Sequence, residues 1–279
     1  MSKRRRRPRG IPVRIVQALM GVIFILPVWW IVVNSTRSSS QIFADLSPLS
    51  LKALLPTDFK FQTYVDVFRV GFGEATINSI IVAAATVFVG LIVCATAAFA
   101  LSAIKFPGQN LVFVVVLISF LIPFDSIAIP LSGIFKDWGL VNTFTGLILP
   151  GLGNGMAILL IRTFFLSIPS ELVEAARIDG LGWFGIFWRI YLPNSIPVLM
   201  GAGLSLFLFQ WQAYIWPLLV GTDSEHLLAP IALANLMTAT GGDYGVLLAG
   251  ATVFIAIPTI VILALQKYFV QSVSSSGIK

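Results

Sequence analysis

The side chains with chemical capacity in this chain of 279 residues fall into three small sets. Glu174-Ala175-Ala176-Arg177-Ile178-Asp179-Gly180 puts two carboxylates and a guanidinium on one short polar stretch. Asp125 is a lone carboxylate in the apolar run Leu121-Ile122-Pro123-Phe124-Asp125-Ser126. Gln210, Trp211, Gln212 and Tyr214 combine flat apolar faces with hydrogen-bonding tips, a mixture suited to sugar rings. None of these is a paired set of catalytic groups, so the chemistry they allow is recognition. His226, the only histidine, stands beside Asp223 and Glu225 and reads as part of a solvated loop, because a metal site needs more ligands. Cys94, single and inside an apolar run, reads as a packing residue. No Gly-x-x-x-x-Gly-Lys-Ser/Thr sequence occurs, so a phosphate-cradling P-loop is lacking.

Membrane helices must position these groups. The chain is 57% hydrophobic and 11% charged, with a mean hydropathy of +0.94; soluble domains average about 45–50% apolar and about 25% charged. Its apolar runs are long enough to cross a hydrocarbon core of about 30 Å as helix. They are continuous rather than alternating, which argues against a β-barrel. The expectation is an all-α integral membrane protein with spans near 15–33, 75–100, 110–131, 143–167, 197–220 and 244–268. These make a transmembrane region 15–268 between a basic tail, 1–14, and a C-terminal tail, 269–279. Pro27, Pro123, Pro130, Pro150, Pro217 and Pro258 puncture the spans; they are either packing kinks or broken helices facing a pathway.

The first 14 residues carry Lys3, Arg4, Arg5, Arg6, Arg7, Arg9 and Arg14. The apolar run that follows is longer than a signal-peptide core and no small-x-small cleavage site follows it, so it reads as a retained span. With the N-terminus inside, the inner segments hold thirteen lysines and arginines against five outside: Arg37, Lys52, Lys60, Arg69 and Lys136. That bias puts both termini and the Glu174 loop in the cytoplasm. Anionic lipid headgroups account for the basic tail, without a nucleic-acid partner. The outer segments 34–74 and 221–243 read as loops that rest on the membrane surface or touch an external partner. Trp29 and Trp30 read as an outer aromatic belt.

The polar loop 168–197 has its own local logic. Pro169 and Ser170 read as a helix start, with Ser170 able to accept a backbone N–H and Glu171 favoured by the helix dipole. Leu172, Val173, Ala175 and Ala176 form a small apolar face beside Glu174 and Arg177, and Gly180 ends the helix with positive φ. A second short helix with Trp183, Phe184, Phe187 and Trp188 follows, its aromatic half against the protein's own helices. Pro193 and Pro197 then redirect the chain. The loop is either a projecting helix-turn-helix that a partner reads or an interfacial amphipathic segment.

The pattern Glu-Ala-Ala, three residues, Gly, nine residues, Ile-x-Leu-Pro, running from Glu174 to Pro193, resembles the cytoplasmic signature of permease subunits of binding-protein-dependent ABC importers. The resemblance covers almost the whole chain. It implies the six-helix ABC type I importer permease fold in a prokaryotic cell (inner) membrane. The loop would be the coupling helix that sits in a cleft of a separate ATPase subunit. Glu174, Ala175, Ala176, Asp179, Gly180, Leu192 and Pro193 take that role by position. It further implies a second homologous permease, two ATPase subunits that bind ATP and Mg in place of this chain, and an extracytoplasmic solute-binding protein. Thr76-Ile77-Asn78-Ser79, the segment 97–100 followed by Lys105-Phe106-Pro107-Gly108, and Gly139-Leu140-Val141-Asn142-Thr143 resemble the carbohydrate branch, on its maltose-type second permease. So does Trp211-Gln212-Ala213-Tyr214-Ile215-Trp216-Pro217-Leu218, although that branch usually has Asn at Gln212, an acidic residue at Ala213 and Phe at Tyr214. The tail 266–279 resembles the branch's C-terminus, which in some members reaches into the ATPase dimer.

Against this frame, Asp125 near the outer end of the third span is a gate or solute contact, or an interface residue. Gln210, Trp211, Gln212 and Tyr214 are solute contacts or interface anchors. The function expected is import of a sugar or sugar-like solute by alternating access. The competing class, a stand-alone secondary transporter or channel, predicts intramembrane charge relays and internal repeats that are not evident here.

Overall fold

The computed structural model describes residues 11–48, 50–55 and 59–276, with side chains within 12–267. Most of the basic tail and the last residues, 277–279, lie outside this range. All regular structure among the described residues is helical. The chain divides into two units, one of residues 1–72 with 235–253, the other of 73–234 with 254–279.

In the first unit, α1 (Ile11–Asn34) starts a turn earlier than the apolar run suggests. Its flanks are bare, with Phe24 72% exposed, as a helix facing lipid requires. The segment expected as an outer loop is instead a built cap of α2 (Ser39–Leu46), a 3-10 turn (Leu51–Leu54) and α3 (Gln62–Arg69). Arg37, 3% exposed, pairs with Asp45 and donates to Asn34 Oδ1 and to the Lys52 carbonyl, both at 3.2 Å. A buried ion pair is held only where such added hydrogen bonds offset desolvation. Thr63 Oγ1 donates to the Ser35 carbonyl at 2.7 Å, and the hydroxyls of Tyr64 and Ser35 bond at 2.7 Å. Ser39 Oγ donates to Asp243 Oδ1 at 2.9 Å and accepts from the Tyr244 N–H at 2.8 Å. Asp243 in turn accepts from the Gly245 N–H, capping the last helix, α15 (Tyr244–Ser276).

The second unit holds most of α4 (Phe72–Ala103), then α5 (Gln109–Leu121), α6 (Phe124–Asp137), α7 (Phe144–Ile148) with a 3-10 turn (Leu149–Gly151), and α8 (Gly155–Phe165). The loop elements α9 (Ser170–Ile178), α10 (Trp183–Ile186), a π turn (Phe187–Tyr191) and α11 (Leu192–Asn194) follow. They lead into α12 (Ile196–Trp211), α13 (Ile215–Val220) and the start of α14 (Ala229–Ala239), whose second half belongs to the first unit. Helix α14 falls where the sequence reads as an outer loop.

Three helices, in α1, α4 and α15, are continuous and long enough to cross a membrane; six spans result when each of three bent pairs counts as one. The bends are 95° between α5 and α6, 47° between the α7 segment and α8, and 83° between Trp183–Asn194 and α12. Proline explains their positions. Pro123 lacks an N–H and bars its neighbour from helix, leaving Ile122 extended at φ −72, ψ 120. Pro150 sits in the 3-10 turn, and a proline opens α12 in its first turn. The 13 residues of α5 reach only about 20 Å, so the third crossing is not a single straight helix. Likewise α12 stops at Trp211, and the run read as 197–220 is two helices with a break at 212–214.

Small residues let these helices approach closely. A Cβ on Gly155 would lie 2.5 Å from the Phe120 Cβ of α5, and one on Gly203 of α12 would lie 3.1 Å from Leu91 of α4.

Candidate functional site

Helix α9 is anchored by one small residue. Ala176 is buried and Val173 packs partly beside it, while Glu174, Ala175, Arg177, Asp179 and Gly180 are exposed. The apolar face expected of this helix is therefore split. Of its four residues Leu172, 47% exposed, and Ala175 point outward with the charges, as does Ile178, which is not expected on that face. Ser170 is the first helical residue behind Pro169 and makes no capping bond, contrary to the sequence expectation.

The end of α9 is as the glycine dictates. Gly180 has φ +82, its N–H donates to the Arg177 carbonyl at 3.1 Å, and the Leu181 N–H donates to the Ala176 carbonyl at 2.9 Å. This is a Schellman closure, completed by the packing of Leu181 and Ala176 in one apolar cluster. The Arg177 guanidinium then lies over the Trp183 ring, bridging the turn.

The aromatic half divides too. Phe187, Tyr191 and Ile186 are buried against the unit's core, whereas Phe184 is 77% and Trp188 47% exposed. Leu192 packs against the core and Pro193 is exposed. Sequence reasoning misses the residue at the centre of this contact. Phe99 of α4 meets Trp183 at 6.2 Å, Phe187 at 5.2 Å and Tyr191 at 4.8 Å, ring centroid to centroid. Tyr191 also packs edge-on against Phe165 of α8 at 5.0 Å. The aromatic segment of the loop is thus held against α4 and α8 by interlocked rings. Only the chain position of Phe99, among the small residues near the end of its span, gave a signal.

A cavity of about 790 Å³ lies among α5, α6, the 3-10 turn before α8, and the α12–α13 break. Asp125, Gln210, Gln212 and Tyr214 all line it. The bend at Pro123 and the break at 212–214 bring Asp125, in the first turn of α6, into the same cavity as the α12–α13 residues. Trp211 does not line it. It is 1% exposed, stacked between Phe207 at 5.7 Å and Phe254 at 5.3 Å, and belongs to the packing. Ser119, Asn154 and the backbone of Gly151 and Gly153 join the lining, a polar contribution that residue types alone did not mark. Trp216, also in the lining, donates to the Gly146 carbonyl at 3.0 Å and packs on Phe124 and Phe135.

His226 is more tightly held than a solvated loop: its Nδ1 lies 2.9 Å from Asp223 Oδ1 and its ring packs on Phe144 at 5.0 Å. Among the described residues no three His, Cys, Asp or Glu side chains converge as metal ligands.

A helical membrane chain with broken spans, an exposed charged helix-turn-helix clamped to its core and a mainly apolar cavity that carries a few polar groups is a transport permease by architecture. Residues 90–275 match the family of binding-protein-dependent transport system inner membrane components, and the chain belongs to that family. It is 33% identical over 255 residues to the probable ABC transporter permease protein YurM of Bacillus subtilis (strain 168), covering 91% of this chain and 83% of that one. It is 31% identical to the arabinooligosaccharides transport system permease protein AraQ of Halalkalibacterium halodurans, covering 94% of each. The sn-glycerol-3-phosphate transport system permease protein UgpE of Yersinia pestis is 28% identical over 271 residues, covering 94% of this chain and 95% of that one. The fold matches a crystal structure of a bacterial ABC transporter involved in the import of the acidic polysaccharide alginate, with a TM-score of 0.77 and 24% identity over 93% of this chain and 96% of that one. The chain is therefore a membrane permease subunit of an ABC import system, and it works with an ATPase and a solute-binding protein.

Proposed function

We infer that this chain is one of two homologous permeases that import a sugar or a sugar-like solute, with the 168–197 loop facing two cytoplasmic ATPase subunits. The observation that carries the reading is the α9 surface. Glu174 and Ala175 on α9, with Asp179 and Gly180 at its end, stand exposed, while Ala176 on the helix's other side is buried in the apolar cluster that also holds Phe99 of α4 and Phe165 of α8. Basic residues concentrate on the loop's side of the membrane and in the N-terminal tail, which supports cytoplasmic termini.

In this reading ATP and Mg are bound by the ATPases. Closure of the ATPase dimer displaces α9, the rings around Phe99 carry that displacement to the spans, and the cavity opens toward a loaded extracytoplasmic binding protein; hydrolysis resets it. Gln210, Gln212, Tyr214 and Asp125 form this chain's wall of the pathway, offering amide, hydroxyl and carboxylate partners beside apolar surface. Relatives named for arabinooligosaccharide and sn-glycerol-3-phosphate transport support a polyhydroxylated solute.

The test is a cysteine at exposed Ala175, placed in a chain whose Cys94 is replaced by Ala. Cross-linking of Ala175→Cys to the ATPase, changing in yield on ATP addition, is expected. Absence of any ATPase adduct in a transport-competent complex would remove the coupling assignment. Glu174→Lys should likewise reduce ATPase co-purification, and undiminished co-purification with unchanged uptake would exclude that carboxylate.

A further inference from the structure

A second groove lies in the first unit. It encloses about 400 Å³ and is lined by Trp29, Val32, Val33, Thr36, Phe59, Phe61 and Tyr64. Its walls are two elements held in fixed register. Trp29 Nε1 donates to the Leu54 carbonyl at 2.9 Å, and the Lys60 N–H donates to the Thr36 carbonyl at 2.9 Å. Thr63 and Tyr64 pin α3 through Ser35.

We propose that this groove holds the acyl chain of an anionic phospholipid, with the headgroup phosphate at Lys60. The groove is continuous with the exposed flank of α1, whose membrane-crossing stretch has none of its apolar window buried. It lies at the Asn34 end of that helix, where Trp29 and Tyr64 mark the level of an interfacial aromatic belt. Helix α3 extends the apolar rim. Phe61, Val65 and Phe68, spaced i, i+4, i+7, are 68%, 48% and 52% exposed, while Thr63 and Val67 on the other side are buried. Such a helix lies in the plane of the interface with its apolar stripe among acyl chains. Lys60, exposed between the two groove-lining phenylalanines, supplies a cation where a phosphate sits when the chain below it fills the groove. One cation at a membrane surface favours an anionic lipid by about fivefold.

The test uses the intact importer complex in nanodiscs, with a photo-reactive benzoylphenylalanine replacing Phe61, and native mass spectrometry of the released complex after exchange into phosphatidylglycerol or phosphatidylcholine. The expected results are a lipid adduct at position 61, one retained phosphatidylglycerol favoured over phosphatidylcholine by about fivefold, and loss of that preference in Lys60→Gln. Val32→Trp, at a half-exposed position that fills the groove, should release the retained lipid without changing complex yield. Phe61→Glu gives a second, surface-lying variant with the same expectation. Cross-linking of position 61 to the second permease or to the binding protein would overturn the proposal, as would equal retention of both lipids or retention unchanged in both groove variants. ATP-driven uptake and ATPase attachment are not readouts here, so the result stands apart from the transport reading.

Discussion

The Arg177 guanidinium carbon lies 4.6 Å from the centre of the Trp183 ring, spanning the turn at Gly180. It ties the exposed helix α9 to the aromatic segment that is packed on the core. Arg177→Ala should keep the turn, because the Schellman bonds are backbone bonds, and loosen the coupling of the two helices. An exposed cation–π contact of about 0.5–1 kcal/mol corresponds to about a two- to fivefold fall in the ratio of solute taken up to ATP hydrolysed. That ratio, measured in proteoliposomes, checks the prediction; an unchanged ratio would show that the contact transmits nothing.

Gly180 is needed for its conformation and not for space. A Cβ there would meet nothing within 4 Å, yet φ is +82. Gly180→Val should therefore cost about 1–2 kcal/mol locally, leave the protein in the membrane and abolish ATP-driven uptake. Gly180→Asn, which tolerates the left-handed region, should retain most uptake. Equal behaviour of the two variants in a transport assay would contradict the backbone argument.

Gly155 is the opposite case. Its backbone is ordinary helix, but a Cβ would lie 2.5 Å from the Phe120 Cβ and 3.2 Å from the Val116 carbonyl, neither able to swing away. Gly155→Ala should force α5 and α8 apart at a cost of about 1–3 kcal/mol. A lower melting temperature of the purified protein is the readout, and an unchanged one would mean the helices part freely.

Asp125 lines the cavity, is exposed and, among the described residues, has no hydrogen-bond or ion-pair partner. Asp125→Asn should leave expression and complex assembly unchanged. Loss of a charged hydrogen bond to a passing solute corresponds to about a tenfold loss in transport efficiency. Full transport by the variant would place this carboxylate outside the pathway.

What the sequence determined by itself follows from length, polarity and backbone chemistry. Runs of about 20 apolar residues can only be membrane helices, the Glu174 to Pro193 spacing carried the permease family, and Gly180 announced its own positive φ. Proline positions marked where spans would break. The tertiary structure alone decided which residues meet. A lipid-facing side chain and a core-facing one are equally apolar, so the pattern could not say that Trp211 stacks inside the packing while Gln210 and Gln212 line the cavity. Nor could it say that Phe184 and Trp188 stay exposed while Phe187 and Tyr191 lock onto Phe99. The 95° turn at Pro123, whose angle depends on what α6 packs against, carried Asp125 into the cavity shared by Gln210, Gln212 and Tyr214. Proline fixes where a helix must stop; packing fixes where the chain goes next.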